Sequence, residues 1–449
     1  MTFPGYGVAL AIILALGGSS AEATSQPPSS RVDSANKLFQ AGKFPEAAEV
    51  YSRIAAHNSQ DYTALADVAK GGDGAKSAIV QLGRIALLSN RLTDAQKWLQ
   101  KAIALQPGDT DAKVMLAEAF HRADEFEKAA DALDGIDVST NQLIISQYPT
   151  LNTAKLASFK GQTPYEVQGT GEITRLKFVK SDVLPVVKLR VNAGEEVTFF
   201  IDTGNSEVAL DTDFAREIGA QLFGAVQGTF SGGQHTEVQN GRTESITIGD
   251  WTVKNLPIIV LPLRQLSQGL GVERVDGCIG TNLLFHFLAT LDYPQGELVL
   301  RRKTAGGFKQ FAATSSGKGN AVPFWIAGDH FMVGWGRVET VPPALLFVDT
   351  GLAGAGVKLA ESVIKQAKIK LEKDKATQGA GAGGQLTTVP YVVRRLSFGV
   401  QENNVQGLYD GPFPWEETFG FHLAGMVGHD FFKRYSVTFD FENMRIFLQ

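Results

Sequence analysis

Two rhythms of apolar residues divide this chain. Between residues 31 and 140 a helical pattern repeats. Ala41-Gly42-Lys43-Phe44-Pro45-Glu46-Ala47, Ser89-Asn90-Arg91-Leu92-Thr93-Asp94-Ala95 and Ala123-Asp124-Glu125-Phe126-Glu127-Lys128-Ala129 align without gaps. Four residues after each final alanine stands Tyr51, Leu99 or Leu133, and twelve before it stands Ala35, Gly83 or Ala117. Residues four apart share a helix face, and small residues at matched places let paired helices approach closely. The pattern predicts helix–turn–helix units. From residue 161 onward the apolar residues come as short runs instead. Val197 to Ile201 and Leu345 to Val348 are followed by glycine-containing turns and read as buried strands. Residues 141–165 fit neither rhythm and are expected to hold a further helix in a connecting segment.

Composition sharpens the division. Residues 31–140 hold 22 Ala and 7 Gly, whereas residues 161–449 hold 20 Ala and 37 Gly. Alanine favours helix and glycine punctuates turns, so an all-α part precedes an all-β part. So sharp a change predicts that a fragment starting near Gly161 folds alone. The net charge of −5 gives no basic surplus for nucleic acid, and none is expected as a partner. Val8 to Gly18 is an uncharged apolar run of 11 residues, too short for a membrane span. With Ala21-Glu22-Ala23 behind it, residues 1–23 read as a signal peptide cleaved near Ala23, giving an exported protein, periplasmic or secreted. Residues 24–30 read as a linker.

The helical units lie 48 and 34 residues apart, the second interval being the tetratricopeptide period, with an insertion around Gly71-Gly72-Asp73-Gly74. Residues 31–140 therefore resemble a tetratricopeptide array. Such a resemblance implies protein-partner binding, or a cap over the neighbouring domain.

The β part is a duplication. Asp202-Thr203-Gly204 returns as Asp349-Thr350-Gly351, 147 residues later. Cys278-Ile279-Gly280 returns as Met426-Val427-Gly428, and Asp292 returns as Asp440, each 148 residues on. A glycine turn recurs midway, Ser231-Gly232-Gly233-Gln234 and then Gly383-Gly384-Gln385. Each unit resembles one lobe of an aspartic peptidase of the pepsin and retropepsin clan. Residues 166–305 would be lobe 1 and residues 318–449 lobe 2.

What the resemblance implies is a two-lobed acid-protease fold hydrolysing peptide bonds with a water held by an Asp202/Asp349 dyad. Two adjacent carboxyls share a proton, so one serves as base while the other serves as acid. Thr203 and Thr350 would bond across to the opposite loop. Gly204 and Gly351 would allow the two loops to approach. The glycine turns, Ser231 to Gln234 and Gly383 to Gln385, would be flaps over a peptide substrate. Two residues depart from the family pattern. Asn205 and Leu352 stand where a Ser, Thr or Ala is usual. Two other readings stay open, a catalytically silent peptide-binding module and a repeat scaffold with structural lobes. Asp292 and Asp440 read as turn caps, and Cys278 as a small core residue. The seven histidines show no H-x-x-x-H pair, so neither metal nor cofactor is expected.

Overall fold

The helical repeat closes into hairpins. Pro28–Gln40 pairs with Phe44–Gln60, Gly72–Leu88 with Leu92–Leu105, and Thr110–His121 with Phe126–Ala132. The structure is a computed structural model that describes residues 28–60, 72–230, 235–314, 320–381 and 383–449. The signal-peptide reading of residues 1–23 lies outside these. Residues 28–30, read as linker, already belong to the helix Pro28–Gln40, and Gly72 to Gly74, read as part of an insertion, open the helix Gly72–Leu88. Ala47, Ala95 and Ala129 are fully buried, as the repeat requires. A Cβ on Gly83 would stand 2.6 Å from Leu99 Cγ, so the small residue does admit the facing helix.

Each hairpin turns through one residue in the left-handed region, Gly42 (φ 73°), Asn90 (φ 53°) and Asp124 (φ 60°). All three turns meet the strand-rich part. Gly42 packs on Leu345 and Trp335. Asn90 Nδ2 donates to the Phe441 carbonyl at 3.1 Å, and Asp124 accepts from His286 Nε2 at 3.1 Å. Phe39 and Phe44 set their rings edge-on against Phe421, and Phe44 does the same against Trp325. One continuous buried core runs from the helices into both lobes. The expectation of an independent fragment from Gly161 therefore has to reckon with apolar surface that the lobes share with the helices. A composition break marks a change of secondary structure, and here it does not mark a gap in the core.

The strand-rich part is two lobes of like topology. In lobe 1, Glu196–Ile201 runs parallel to Gly277–Ile279, and Val208–Asp211 runs antiparallel to it on the other side. In lobe 2, Ala344–Val348, Leu423–Val427 and Val357–Leu359 repeat that arrangement. A six-stranded antiparallel sheet joins the lobes in the order Ile173–Lys180, Glu297–Arg301, Leu288–Asp292, Ser436–Asp440, Arg445–Leu448, Asn320–Ala327. Its middle pair sets Thr290 against Thr438 with hydroxyls 2.8 Å apart, 148 residues distant in sequence. Asp292 and Asp440 cap the turns beyond these strands, accepting from Gln295 N and from Glu442 N and Asn443 N. Two short helices, Gln142–Gln147 and Thr153–Ala157, occupy the connecting segment.

Candidate active site

The duplicated loops meet where the lobes meet. The strand before each aspartate lies parallel to the later apolar segment, and the aspartate amide extends the pairing. Asp202 N donates to Ile279 O and Asp349 N to Val427 O, both at 3.0 Å. The loops then lock together. Thr203 N donates to Thr350 Oγ1 and Thr350 N to Thr203 Oγ1, each at 3.0 Å, while Thr203 Oγ1 donates to Val348 O at 2.9 Å. Both threonines are fully buried, so these bonds satisfy groups that water does not reach. Gly204 N donates to Asp202 Oδ1 at 2.7 Å and Gly351 N to Asp349 Oδ1 at 2.9 Å.

The glycines are steric necessities. A Cβ on Gly204 would lie 2.5 Å from Asp349 Oδ1, and one on Gly351 would overlap the whole Asp202 carboxylate. Each glycine thus faces the aspartate of the other loop, and the two carboxyl groups hydrogen-bond to each other.

The surroundings raise both carboxyls. Burial pushes the Asp202 carboxyl well above the usual carboxylate range, and the charge of Asp349 pushes it further. Burial raises Asp349 as well, but a hydrogen bond from Asp202, the Gly351 N–H and the charges of Lys358 and His330 hold it down. Two adjacent buried carboxyls do not both ionise readily, so they share a proton that belongs to the pair.

Two supporting groups carry no sequence motif. Lys358, on the buried strand Val357–Leu359, pairs with Asp410 at 2.5 Å. It occupies the place that Ala209 holds in lobe 1, since Ala209 pairs with Cys278 and Lys358 with Met426. That break in the duplication was a legible signal. His330 bridges the lobes. Its Nδ1 faces Asp329 Oδ1 at 2.5 Å and its Nε2 donates to Gly204 O at 3.0 Å. Nothing in the sequence pattern marks it.

A third group reaches the site from outside the lobes. Glu207, five residues beyond Asp202, is fully buried and holds Lys155 Nζ at 2.8 and 2.9 Å. Lys155 belongs to the helix Thr153–Ala157. Beyond Glu207 lie His121 Nε2 at 3.9 Å and Glu118, which binds Arg122 at 2.9 Å. Arg122 in turn donates to Gly328 O at 2.8 Å, beside Asp329. A chain of buried polar groups thus leads from the repeat helices to the active loop.

Asn205 and Leu352 give the dyad no side-chain hydrogen bond. Asn205 Nδ2 is spent on Glu207 O at 2.6 Å, and Leu352 packs against the turn at Gly428. Cys278 is buried, and burial together with the nearby aspartates raises its thiol pKa well above the usual range, so it stays protonated.

A cavity of about 400 Å³ opens over the two aspartates. Gly228, Phe230, Gly379, Gly381, Leu386 and Thr388 line it from the two flap hairpins. The hairpin of lobe 2 joins Thr377–Gly381 to Gly384–Phe398, with Gly381 facing Gly384. Gly383, Gly384 and Gln385, expected to touch substrate, sit at its tip and do not reach the lining, because residues lower on the strands do. Ser231, Gly232, Gly233 and Gln234 lie outside the described residues. Elsewhere, Asp182, His429 and Asp430 each bring one ligand atom within 4.8 Å of the others. Lys433 Nζ already lies 3.3 Å from Asp182 and 2.8 Å from Asp430, and supplies the cation those carboxylates need.

Residues 187–283 match the aspartyl protease family, and residues 81–142 match the tetratricopeptide repeat. A solved retropepsin-like aspartic protease from Rickettsia conorii is similar at 19% identity, over 31% of this chain and 96% of that chain, with a TM-score of 0.21. No curated protein matches the sequence. The family match lies within lobe 1, and lobe 2 repeats the strand pairing of lobe 1.

Proposed function

We propose that this chain, a tetratricopeptide-repeat region followed by an aspartyl-protease-like domain, is an aspartic endopeptidase. The observation that carries the reading is the pair of carboxyls, brought together by the interlocked loops under a cavity and both raised by burial, so that they share a proton. The ionised carboxyl of the Asp202/Asp349 pair, as base, takes a proton from a water held between the two. That water's oxygen bonds to the scissile carbonyl carbon while the protonated carboxyl gives its proton to the carbonyl oxygen. The C–N bond then breaks. The leaving nitrogen takes the proton held by the first carboxyl, and a hydroxyl proton of the intermediate returns to the second. The backbone of an extended peptide bonds to the flap strands on either side.

The repeat region offers a partner surface of the tetratricopeptide kind. Among the described residues no helix is long and apolar enough to cross a membrane. Export through the Val8 to Gly18 leader is part of the same reading, and sequencing the N-terminus of the mature protein tests it. The decisive experiment for the dyad is a peptide-library digest by wild type, Asp202→Asn and Asp349→Asn. Each single variant is expected to lose cleavage and keep its fold, because one carboxyl cannot act as both acid and base. Substantial turnover by either well-folded variant would refute the dyad.

A further inference from the structure

One wall of the cavity comes from neither lobe. Ile145, Gln147, Pro149 and Thr150, from the connecting segment, line it beside Asp202 and Asp349. This segment is fastened on both sides. Toward lobe 1, Asn240 Nδ2 donates to Pro149 O at 3.3 Å and Asn152 Nδ2 to Phe223 O at 3.0 Å. Both partners stand on the strands of the first flap hairpin. Toward lobe 2, Gln147 Nε2 donates to Thr418 O at 2.7 Å, Asp329 N to Gln147 O at 3.0 Å, and Thr150 Oγ1 to Asp329 Oδ2 at 3.1 Å.

A strand of chain bonded to both lobes, and lining the space between them, crosses the groove. It is part of the packed structure. Gln147, Tyr148, Thr150, Leu151 and Asn152 are all buried. Its crossing point is where lobe 2 reaches over to the active loop of lobe 1 through the His330 bond to Gly204. The space left, about 400 Å³, is in the range of pockets for small ligands. An extended polypeptide advances about 3.3 Å per residue and needs both ends of a groove open to pass through.

We infer that residues 145–152 close one end of the cleft, so that the site takes short peptides or chain termini and excludes the interior of a long polypeptide. This narrows the endopeptidase reading to bonds a few residues from a chain end, and rests on it. The test uses peptides with one central sequence, lengthened stepwise with Gly-Ser on the N-terminal or the C-terminal side. Lengthening on one side beyond a few residues is expected to lower kcat/KM at least tenfold, while lengthening on the other side leaves it unchanged. Equal tolerance of both extensions, or cutting inside a long unfolded chain as fast as in the short peptide, overturns the inference. The same peptides, fluorescently labelled, are titrated against Asp202→Asn and followed by anisotropy. One-sided loss of affinity there supports the closed end even if the wild type cleaves nothing. In that event it is the peptidase reading that fails. Affinity that survives extension on both sides overturns the closed end without reference to catalysis.

Discussion

At the scale of single residues, the dyad lacks help that many hydroxyl-bearing relatives of its loop would have. A donor to an ionised carboxyl lowers its pKa. Asn205 spends its amide on Glu207 O, and Leu352 has nothing to donate. Burial meanwhile raises both aspartates. The activity optimum is therefore expected in the mildly acidic range, about pH 4–6, above the ~2–3 of a dyad titrating as in pepsin. Leu352→Thr should move the acidic limb of the pH–rate profile down if the new hydroxyl reaches Asp349, and a limb that stays put in a folded variant rejects this account. The same burial bears on stability. A carboxyl whose folded pKa is raised binds its proton more tightly when folded. Its stabilising contribution is full below the unfolded pKa and is lost as pH rises through the folded value. Asp202→Asn carries no charge to bury. It should melt higher than wild type at neutral pH and show a flatter dependence of midpoint on pH above about 4. The two aspartates, their threonines and their glycines were all legible, because duplication raised each of them above chance. Lys358 was half legible, as a charge standing where the first unit has Ala209. Asp329 and His330 were not, since their meaning depends on a partner loop more than a hundred residues away.

At the scale of elements, the repeat turns show how one position can serve two ends. A left-handed residue lets each hairpin reverse, and the same residue touches the lobes. Gly42 is the most constrained of the three, because a side chain there would be strained by φ and would run into Leu345. Gly42→Ala is expected to cost more than ~1 kcal/mol, measurable as a lowered midpoint in denaturant. An unchanged midpoint would show that this turn is loose. The helical hairpins and the strands before each Asp-Thr-Gly were legible because local spacing decides them. The six-stranded sheet between the lobes was not. It pairs strands of one unit with those of the other, and its outer strand Ile173–Lys180 alternates charge with apolar residues without announcing a partner. The helix Gln142–Gln147, expected only as a further helix somewhere in residues 141–165, is six residues long, too short for periodicity to fix its bounds, yet it helps wall the cleft.

At the scale of the whole molecule, the helical region and the lobes are one body electrostatically as well as sterically. Lys155 and Glu207 are both fully buried, one on a helix before the lobes and the other on the active loop. Burial pushes the lysine pKa down and the glutamate pKa up, and each charge opposes the shift in the other. Removing one partner strands a charge away from water, at a cost of roughly 3–5 kcal/mol. Lys155→Met should therefore lower the midpoint in denaturant by about that amount and reduce cleavage with it. Pairing it with Glu207→Gln should recover much of the stability, since no unpaired charge is then left. A fragment beginning at Gly161 removes Lys155 together with the helices that cover Phe421, Trp325 and Trp335. It leaves Glu207 buried without its cation and a large apolar face open to water, a combination that favours aggregation over folding. Expressed alone, that fragment is expected to be insoluble or to lack a cooperative melting transition by circular dichroism. A soluble fragment that melts cooperatively and cleaves short peptides would show that the helices merely rest on the lobes, and that Glu207 finds water or a proton when Lys155 is gone.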